Sequence, residues 1–404
     1  MRLLGRFARD KRGTIAVIFG IALIPALGFA GAAIDYTRAT QARGKLQAAA
    51  DAAAIAALTM KASSISQRET NGTAVFQANQ PAGVTSSVTV SASNKEVTVT
   101  ASSSIRTSAL QVVRIPNIKI SSLAKAVRTK EGPPPCVLTL SKSASPSIDI
   151  SGSAQFVGKN CVMHANSSAN GALSVGGSST VKADGYCAVG TVVSSYSLSP
   201  APENNCDEME DPYAKLLAPS DIACKQSTTS VSVQPNQNKT LQPGVYCGGL
   251  ELKGDVTLKP GLYVIKDGPL GLNSQGTITG AGVTFYLIGT NAGFDITAGA
   301  KLELTPMTDG DYRGLLIVQD RNSNSGGTSK LNGNSGTLFK GAIYAPTQLV
   351  RMNGTGTFGQ ASPFMPLIAD RVIITGNATA NTDSTGVSLA APLPRSLSGA
   401  RLSQ

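Results

Sequence analysis

The chain of 404 residues exceeds one typical domain, and its 42 Gly and 21 Pro exclude an all-helical bundle. With 41% hydrophobic and only 15% charged residues it can bury a sizeable core and is not a disordered polyelectrolyte, while a single histidine, His164, excludes multi-imidazole metal chemistry. The net charge of +11 is unevenly placed: residues 1–130 carry +12 and residues 131–404 carry −1, which argues for a membrane flank rather than a nucleic-acid surface.

The basic cluster is the leader, residues 1–13, where Arg2, Arg6, Arg9, Lys11 and Arg12 precede an apolar run. That run, Thr14 to Ile34, holds 21 residues without a charge. As a helix it extends about 31 Å, the thickness of a hydrocarbon core. Ala30 and Ala32 are small residues of the kind a cleaved signal peptide carries, but the run is longer than a signal core, so it reads as an uncleaved membrane span. Pro25 lies mid-span, where a kink is tolerated. The basic flank predicts that the leader stays inside and the remainder is exported.

Beyond Asp35, Ala39, Ala42, Leu46, Ala50, Ala53, Ala57 and Met60 recur at spacings of three and four without an intervening proline, so the helix continues past the span. Its seam of small side chains permits close approach either to its own domain or to a partner helix. Two short alternating stretches, Ser87 to Ser91 and Glu96 to Thr100, read as strands.

The segment FARDKRGTIAVIFGIALIPALGFAGAAIDYTRATQARGKLQAAADAAAIAAL, residues 7–58, resembles the TadE/TadG-like family of Flp (tight adherence) pilus-assembly proteins. The features carrying the resemblance are the basic leader, Arg12-Gly13, the proline-containing span, Asp35-Tyr36 and the alanine-rich LQAAADAAAIAA. Pilin-like members carry Glu at the fifth position after the processing glycine, whereas Ile18 stands there in this chain. The resemblance therefore implies a TadG-like anchored accessory protein rather than a polymerising subunit. It covers about the first 130 residues and implies a small α+β pilin-like exported module over residues 35–132.

Pro133 to Pro135 predicts a stiff linker. Downstream, residues 136–380 are rich in Gly, Ser, Thr, Asn and Val, the composition of a mainly β domain. IDISGSAQF from Ile148 realigns with LSVGGSSTV from Leu173, placing Ile150, Gly152 and Ser153 on Val175, Gly177 and Ser178. Related units begin at Leu250, Leu272, Phe294, Lys330 and Arg371. Asn332, Asn334, Asn353 and Asn377 beside glycines mark tight corners. Such repeats predict a parallel β-helix, with a β-sandwich of hairpins as the alternative. Residues 381–404 read as a low-complexity tail.

Six cysteines, Cys136, Cys161, Cys187, Cys206, Cys224 and Cys247, lie in the region expected to be exported, where disulfides are the default. The spacing of the first two equals the repeat offset, which favours sequential pairing: Cys136 with Cys161, Cys187 with Cys206, Cys224 with Cys247. The acidic run Asp207, Glu208, Glu210 and Asp211 is a candidate calcium site; the competing reading has Asp211 cap a short helix that begins at Pro212.

Other apparent motifs carry less. Asp149-Ile-Ser-Gly-Ser153 looks like a metal-ion loop, but Ser174 replaces the aspartate in the matching repeat. Gly354-x-Gly356-x-x-Gly359 matches a dinucleotide fingerprint in letters only, because Pro363 and Pro366 block the helix that should follow. His164 reads as a structural residue. Asp309, Asp311, Asp320 and Arg321 are the acidic and basic groups a β-helical carbohydrate-active enzyme would need, yet the chain has no Trp and 5% aromatics for a sugar platform.

The sequence thus predicts a non-enzymatic, single-pass protein of the bacterial inner membrane, with a periplasmic or extracellular C-terminal portion and no cofactor. Its expected role is Tad-type pilus assembly or surface adhesion. A carbohydrate-active enzyme and a pilus-independent adhesin are the alternatives. Expected partners are the inner membrane and pilus-assembly or other envelope proteins.

Overall fold

The computed structural model describes residues 13–60, 65–81, 85–93, 95–224, 229–273, 276–297, 301–323, 326–332, 338–354, 357–358, 366–383, 388–397 and 399–403. The chain divides into two compact units, Met1–Thr129 with Ser398–Gln404, and Lys130–Leu397. Expectations resting on Arg2, Arg6, Arg9, Lys11, Arg12, Asn334, Gly356, Gly359 and Pro363 lie outside the described residues.

In the first unit one helix, α1 (Gly13–Thr59), carries both the apolar run and the alanine seam. Its 47 residues extend about 70 Å. Leu46, Ala50, Ala53 and Ala57 are buried, whereas Met60 is exposed. A second helix, α2 (Ile65–Asn79), packs on α1. A Cβ added at Gly72 would lie 3.1 Å from the side chains of Ala57 and Val90, so the missing side chain sets how closely α2 approaches. The buried Arg68 guanidinium donates to the Leu58 carbonyl at 3.1 Å, satisfying an acceptor that the end of α1 would leave free.

Three antiparallel strands follow: β1 (Ser86–Ala92), β2 (Glu96–Arg106) and β3 (Asn117–Thr129), in register Val90 opposite Val99 and Val99 opposite Ala124. Alternation along β2 places Val97, Val99 and Ala101 in a core with Ala124 and Ala126 of β3 and the alanines of α1. The alanine seam is therefore covered by its own unit. The expected low-complexity tail is corrected here, because Gly399–Ser403 forms a fourth strand antiparallel to β3, with Gly399 opposite Thr129.

Every described strand pairing in the second unit is parallel. Pro135 is not linker but the first residue of the strand Pro135–Thr139, a position where a proline is tolerated. The two aligned repeats pair in register, Ile148 with Leu173 and Ile150 with Val175. Their glycines explain the motif. Gly354, Gly376, Gly152 and Gly177 all have positive φ, and a Cβ on Gly177 would lie 2.7 Å from the Gly152 carbonyl oxygen. Glycine is required there both for the backbone angle and for close approach.

The expected β-helix, and the β-sandwich weighed against it, are both corrected by the pairing. From Gly244–Leu252 the ladder passes through Gly261–Lys266, Val283–Ile288 and Leu315–Gln319 to Ala342–Met352. It then returns through Thr328–Leu331, Phe294–Ile296 and Leu270–Leu272 to its starting strand. These eight strands close a parallel β-barrel. Closure depends on two long strands that each pair twice. Gly244–Cys247 pairs with Tyr263–Lys266, and Leu250–Leu252 pairs with Leu270–Leu272, with Gly248 and Gly249 at positive φ between the halves. In Ala342–Met352 the register shifts between Ala345 and Leu349, around Pro346. A sandwich would require antiparallel hairpins, which the pairing rules out.

Two further parallel sheets complete the unit. One runs Asn238–Leu241, Asp255–Leu258, Thr277–Gly280, Lys301–Leu304, Leu338–Phe339, and the other Thr357–Phe358, Thr379–Asp383, Gln155–Lys159, Thr180–Lys182. Leu250, Ile265, Phe285, Ile317, Ile343 and Val350 belong to the main core. Alternate residues, among them Val264, Tyr286, Val318 and Tyr344, form a second cluster on the opposite faces. Burial on both faces accounts for the unbroken apolar runs of these strands.

Candidate functional site

On α1 the decisive polar residue is Asp35, the first charged group after the apolar run. It is buried, and its carboxylate accepts backbone N–H bonds from Ser108 at 2.9 Å, Ala109 at 2.7 Å and Leu110 at 2.9 Å. These donors open a 3-10 turn, Leu110–Val113, in the loop joining β2 to β3. The Leu110 and Ser108 amides hold the Asp35 pKa below its ordinary value of 3.8. Arg38, one turn along, donates to the Ser108 hydroxyl at 3.1 Å. The Asp35-Tyr36 pair is visible in the sequence, but its partners, 73 to 75 residues away, are not.

In the second unit the cysteines pair as Cys136–Cys161, Cys187–Cys206 and Cys224–Cys247. The last two bridges fix both ends of a strap, residues 206–224, which crosses the outer face of the sheet. Asn166 docks it by donating to the Met209 carbonyl at 2.8 Å and accepting from the Met209 amide at 2.9 Å. Further along, Tyr312 donates to the Leu217 carbonyl at 2.8 Å.

Under the strap lies a tyrosine cluster that the sequence reading missed. Tyr213 meets Tyr344 edge-on at 5.2 Å, and Tyr286 meets Tyr312 at 5.4 Å. Burial pushes the Tyr344 and Tyr312 hydroxyls up to about 12 and raises Tyr213 and Tyr286 as well. All four stay protonated, and the Tyr344, Tyr286 and Tyr312 hydroxyls donate hydrogen bonds. The available signal was the unbroken apolar run of Val283–Ile288 and of the first half of Ala342–Met352, which implies a covered outer face and puts Tyr286 and Tyr344 on it.

The acidic run is distributed along this strap rather than gathered around one point. Glu208 pairs with Lys142. Asp211 pairs with Arg321, accepts from the Tyr344 hydroxyl at 2.9 Å and accepts from the Tyr213 amide at 2.9 Å. The helix expected to start at Pro212 is corrected to a turn, residues 212–215, with Asp211 bonded across it. Asp207 lies beside His164, while Glu210 is exposed. Among the described residues one group has metal-ligand spacing, Cys187, Glu203 and Cys206, but its two sulfurs are joined to each other and offer no thiolate.

Other sequence candidates occupy separate places. His164 is 2% exposed, and neither ring nitrogen has a hydrogen bond of ordinary geometry. Burial pulls its pKa down to about 4, against the opposing influence of the Asp207 backbone and the Asn166 side chain. Asp320 accepts from the Tyr286 hydroxyl at 3.1 Å and from Ser323 at 2.9 Å, whereas Asp309 and Asp311 are exposed on a turn. Asp149 sits on the strand Ile148–Ile150 and accepts from Ser151 at 3.2 Å.

With this geometry in hand, comparison with known families singles out α1. Residues 13–63 match the Flp pilus-assembly TadE/G-like family. No curated protein and no solved structure matches the chain. The TadE/G-like segment coincides with α1, the one helix among the described residues long and apolar enough to cross a membrane. The matched segment and the apolar α1 are consistent with a membrane-associated protein of pilus-assembly or accessory type. The second unit lies outside the matched segment.

Proposed function

We propose that the protein is a single-pass accessory component of Flp-type pilus assembly in the bacterial inner membrane, with the chain beyond Ile34 on the exported side. In this reading α1 holds the protein at the assembly site, and the second unit presents its surface to other envelope proteins. The observation that carries the reading is the TadE/G-like match on a helix whose apolar residues Val17 to Ala30 are exposed in the isolated chain. Two features support the orientation. The basic residues Arg2, Arg6, Arg9, Lys11 and Arg12 precede the span, as in a cytoplasmic flank. All three disulfides lie in the second unit, as expected for an oxidising compartment.

A reporter enzyme active only outside the cytosol, fused after Lys130, tests the orientation. Activity is expected. Activity from a cytosol-specific reporter at the same point would overturn the reading.

A further inference from the structure

The loop between β2 and β3 exposes apolar side chains where a soluble surface would carry polar ones. Val112 is 86% exposed, Val113 63% and Ile115 47%. The loop is nevertheless well fastened. Thr107 donates from its backbone to the Pro116 carbonyl at 3.0 Å and from its hydroxyl to the Ile115 carbonyl at 2.5 Å. Ile115 donates to the Leu110 carbonyl at 3.0 Å, and Arg114 adopts a left-handed conformation, with φ 64°, to close the turn. These valines are held out by backbone bonding, not left over from an unformed core.

The height of the loop along α1 is also fixed. Asp35 binds three of its amides at the end of the apolar run. One turn deeper, Gly31 meets Ala109 so closely that an added Cβ would come within 2.4 Å of the alanine methyl. Ala109 therefore stands beside a residue inside the predicted span, about 6 Å below Asp35 by helical rise. The exposed Ile24, Leu27 and Ile34 stand seven and four residues before and three after Gly31, on the same face of α1, and continue the apolar surface from that level. Basic residues flank the loop: Arg114 within it, Arg106 and Lys119 in the strands on either side, and Arg38 bonded to Ser108 at its base, with no acidic residue between positions 97 and 130.

We infer that the loop 107–116 is a second membrane contact, inserting Val112, Val113 and Ile115 among lipid chains while the surrounding Arg and Lys side chains meet anionic headgroups. The occupant is the lipid bilayer itself, because the patch is continuous with the surface of α1 that the membrane covers. Asp35 then has a specific task. It ties the loop to the helix at a fixed depth, so that the span and the loop enter the interface as one rigid unit. The inference rests on the reading of α1 as a membrane span.

The experiment uses the full chain in vesicles of phosphatidylethanolamine and phosphatidylglycerol. The native cysteines are bridged, so an environment-sensitive fluorophore can be placed at Val112→Cys, with Leu27→Cys in the span and Ser91→Cys on the exposed edge strand as references. The label at 112 is expected to emit at shorter wavelength than that at 91 and to lose intensity with lipids carrying a shallow nitroxide. The label at 27 is expected to be quenched by deeper nitroxides. Water-like, unquenched emission at 112 with normal quenching at 27 would overturn the loop contact alone and leave the patch to a protein partner. Water-like emission at both sites would overturn the span and the loop contact together.

Discussion

The two units solve the problem of forming a core in opposite ways. The first packs a long helix on a twisted antiparallel sheet through small side chains, chiefly Ala49, Ala50, Ala53, Ala54, Ala57, Ala124 and Ala126. Each alanine buries little area, so proximity and local hydrogen bonds, such as those to Asp35 and from Arg68, carry much of the specificity. The second unit fills a closed parallel barrel with Leu, Ile, Val, Phe and Tyr and fastens its periphery with three bridges. One unit is limited by how closely backbones approach, the other by how completely a large interior is filled.

That contrast can be broken most strongly inside the barrel. Phe285→Ala removes a fully buried ring next to Tyr263 and should cost about 3–5 kcal/mol. Hydrogen exchange mapped by residue is expected to accelerate across residues 130–397 and to leave α1 beyond Asp35 protected. Equal loss in both units would mean that they do not unfold independently. Replacing Cys136 and Cys161 together by Ser should cost about 3 kcal/mol by freeing the unfolded chain, again confined to the second unit in a denaturant titration.

Acid should also separate the units. The unfolded His164 takes up a proton near its ordinary value of 6.5, but the folded residue does so only near 4, beside Asp207 and Glu208. Folding therefore excludes a proton between those values. Stability of the second unit is full above about pH 6.5 and declines as the pH falls toward 4, by on the order of 3 kcal/mol in total. Thermal unfolding of a His164→Leu variant across this range should show a flatter dependence; an unchanged slope would place the proton elsewhere. Asp35 in the first unit acts lower, since its depressed pKa keeps its contribution intact until the pH falls below 3.8.

The smallest effect expected is from overfilling the alanine seam. Ala53→Leu should destabilise the first unit by about 1–3 kcal/mol, because Ala53 is fully buried and neighbours the close crossing at Gly72. A neutral result in the same exchange experiment would show that α2 can move away from α1 at little cost.

How much of this was legible in the sequence follows the range of each interaction. The apolar run and the alanine spacing depend on neighbours within a few residues, and α1 appears in the sequence as clearly as in the fold. The glycine corners at Gly152 and Gly177 were legible because the repeat records both backbone angle and register. Barrel closure was not, since it depends on Gly244–Leu252 and Ala342–Met352 each serving two neighbours, and a repeat pattern reports units without reporting how the last meets the first. The strand Gly399–Ser403 was hidden because its partner is β3, at the far end of the chain. The acidic run looked like a cation site because the sequence shows four carboxylates together. It cannot show Lys142 and Arg321 arriving from distant segments.

The central claim is that α1 anchors a second unit that resides outside the cytosol. The direct measurement is the mass of the full-length protein isolated from envelope membranes after alkylation without reduction. All six cysteines should be unmodified, in bridges that appear as alkylated thiols only after reduction. Six alkylated thiols in membrane-bound, folded protein would contradict the account.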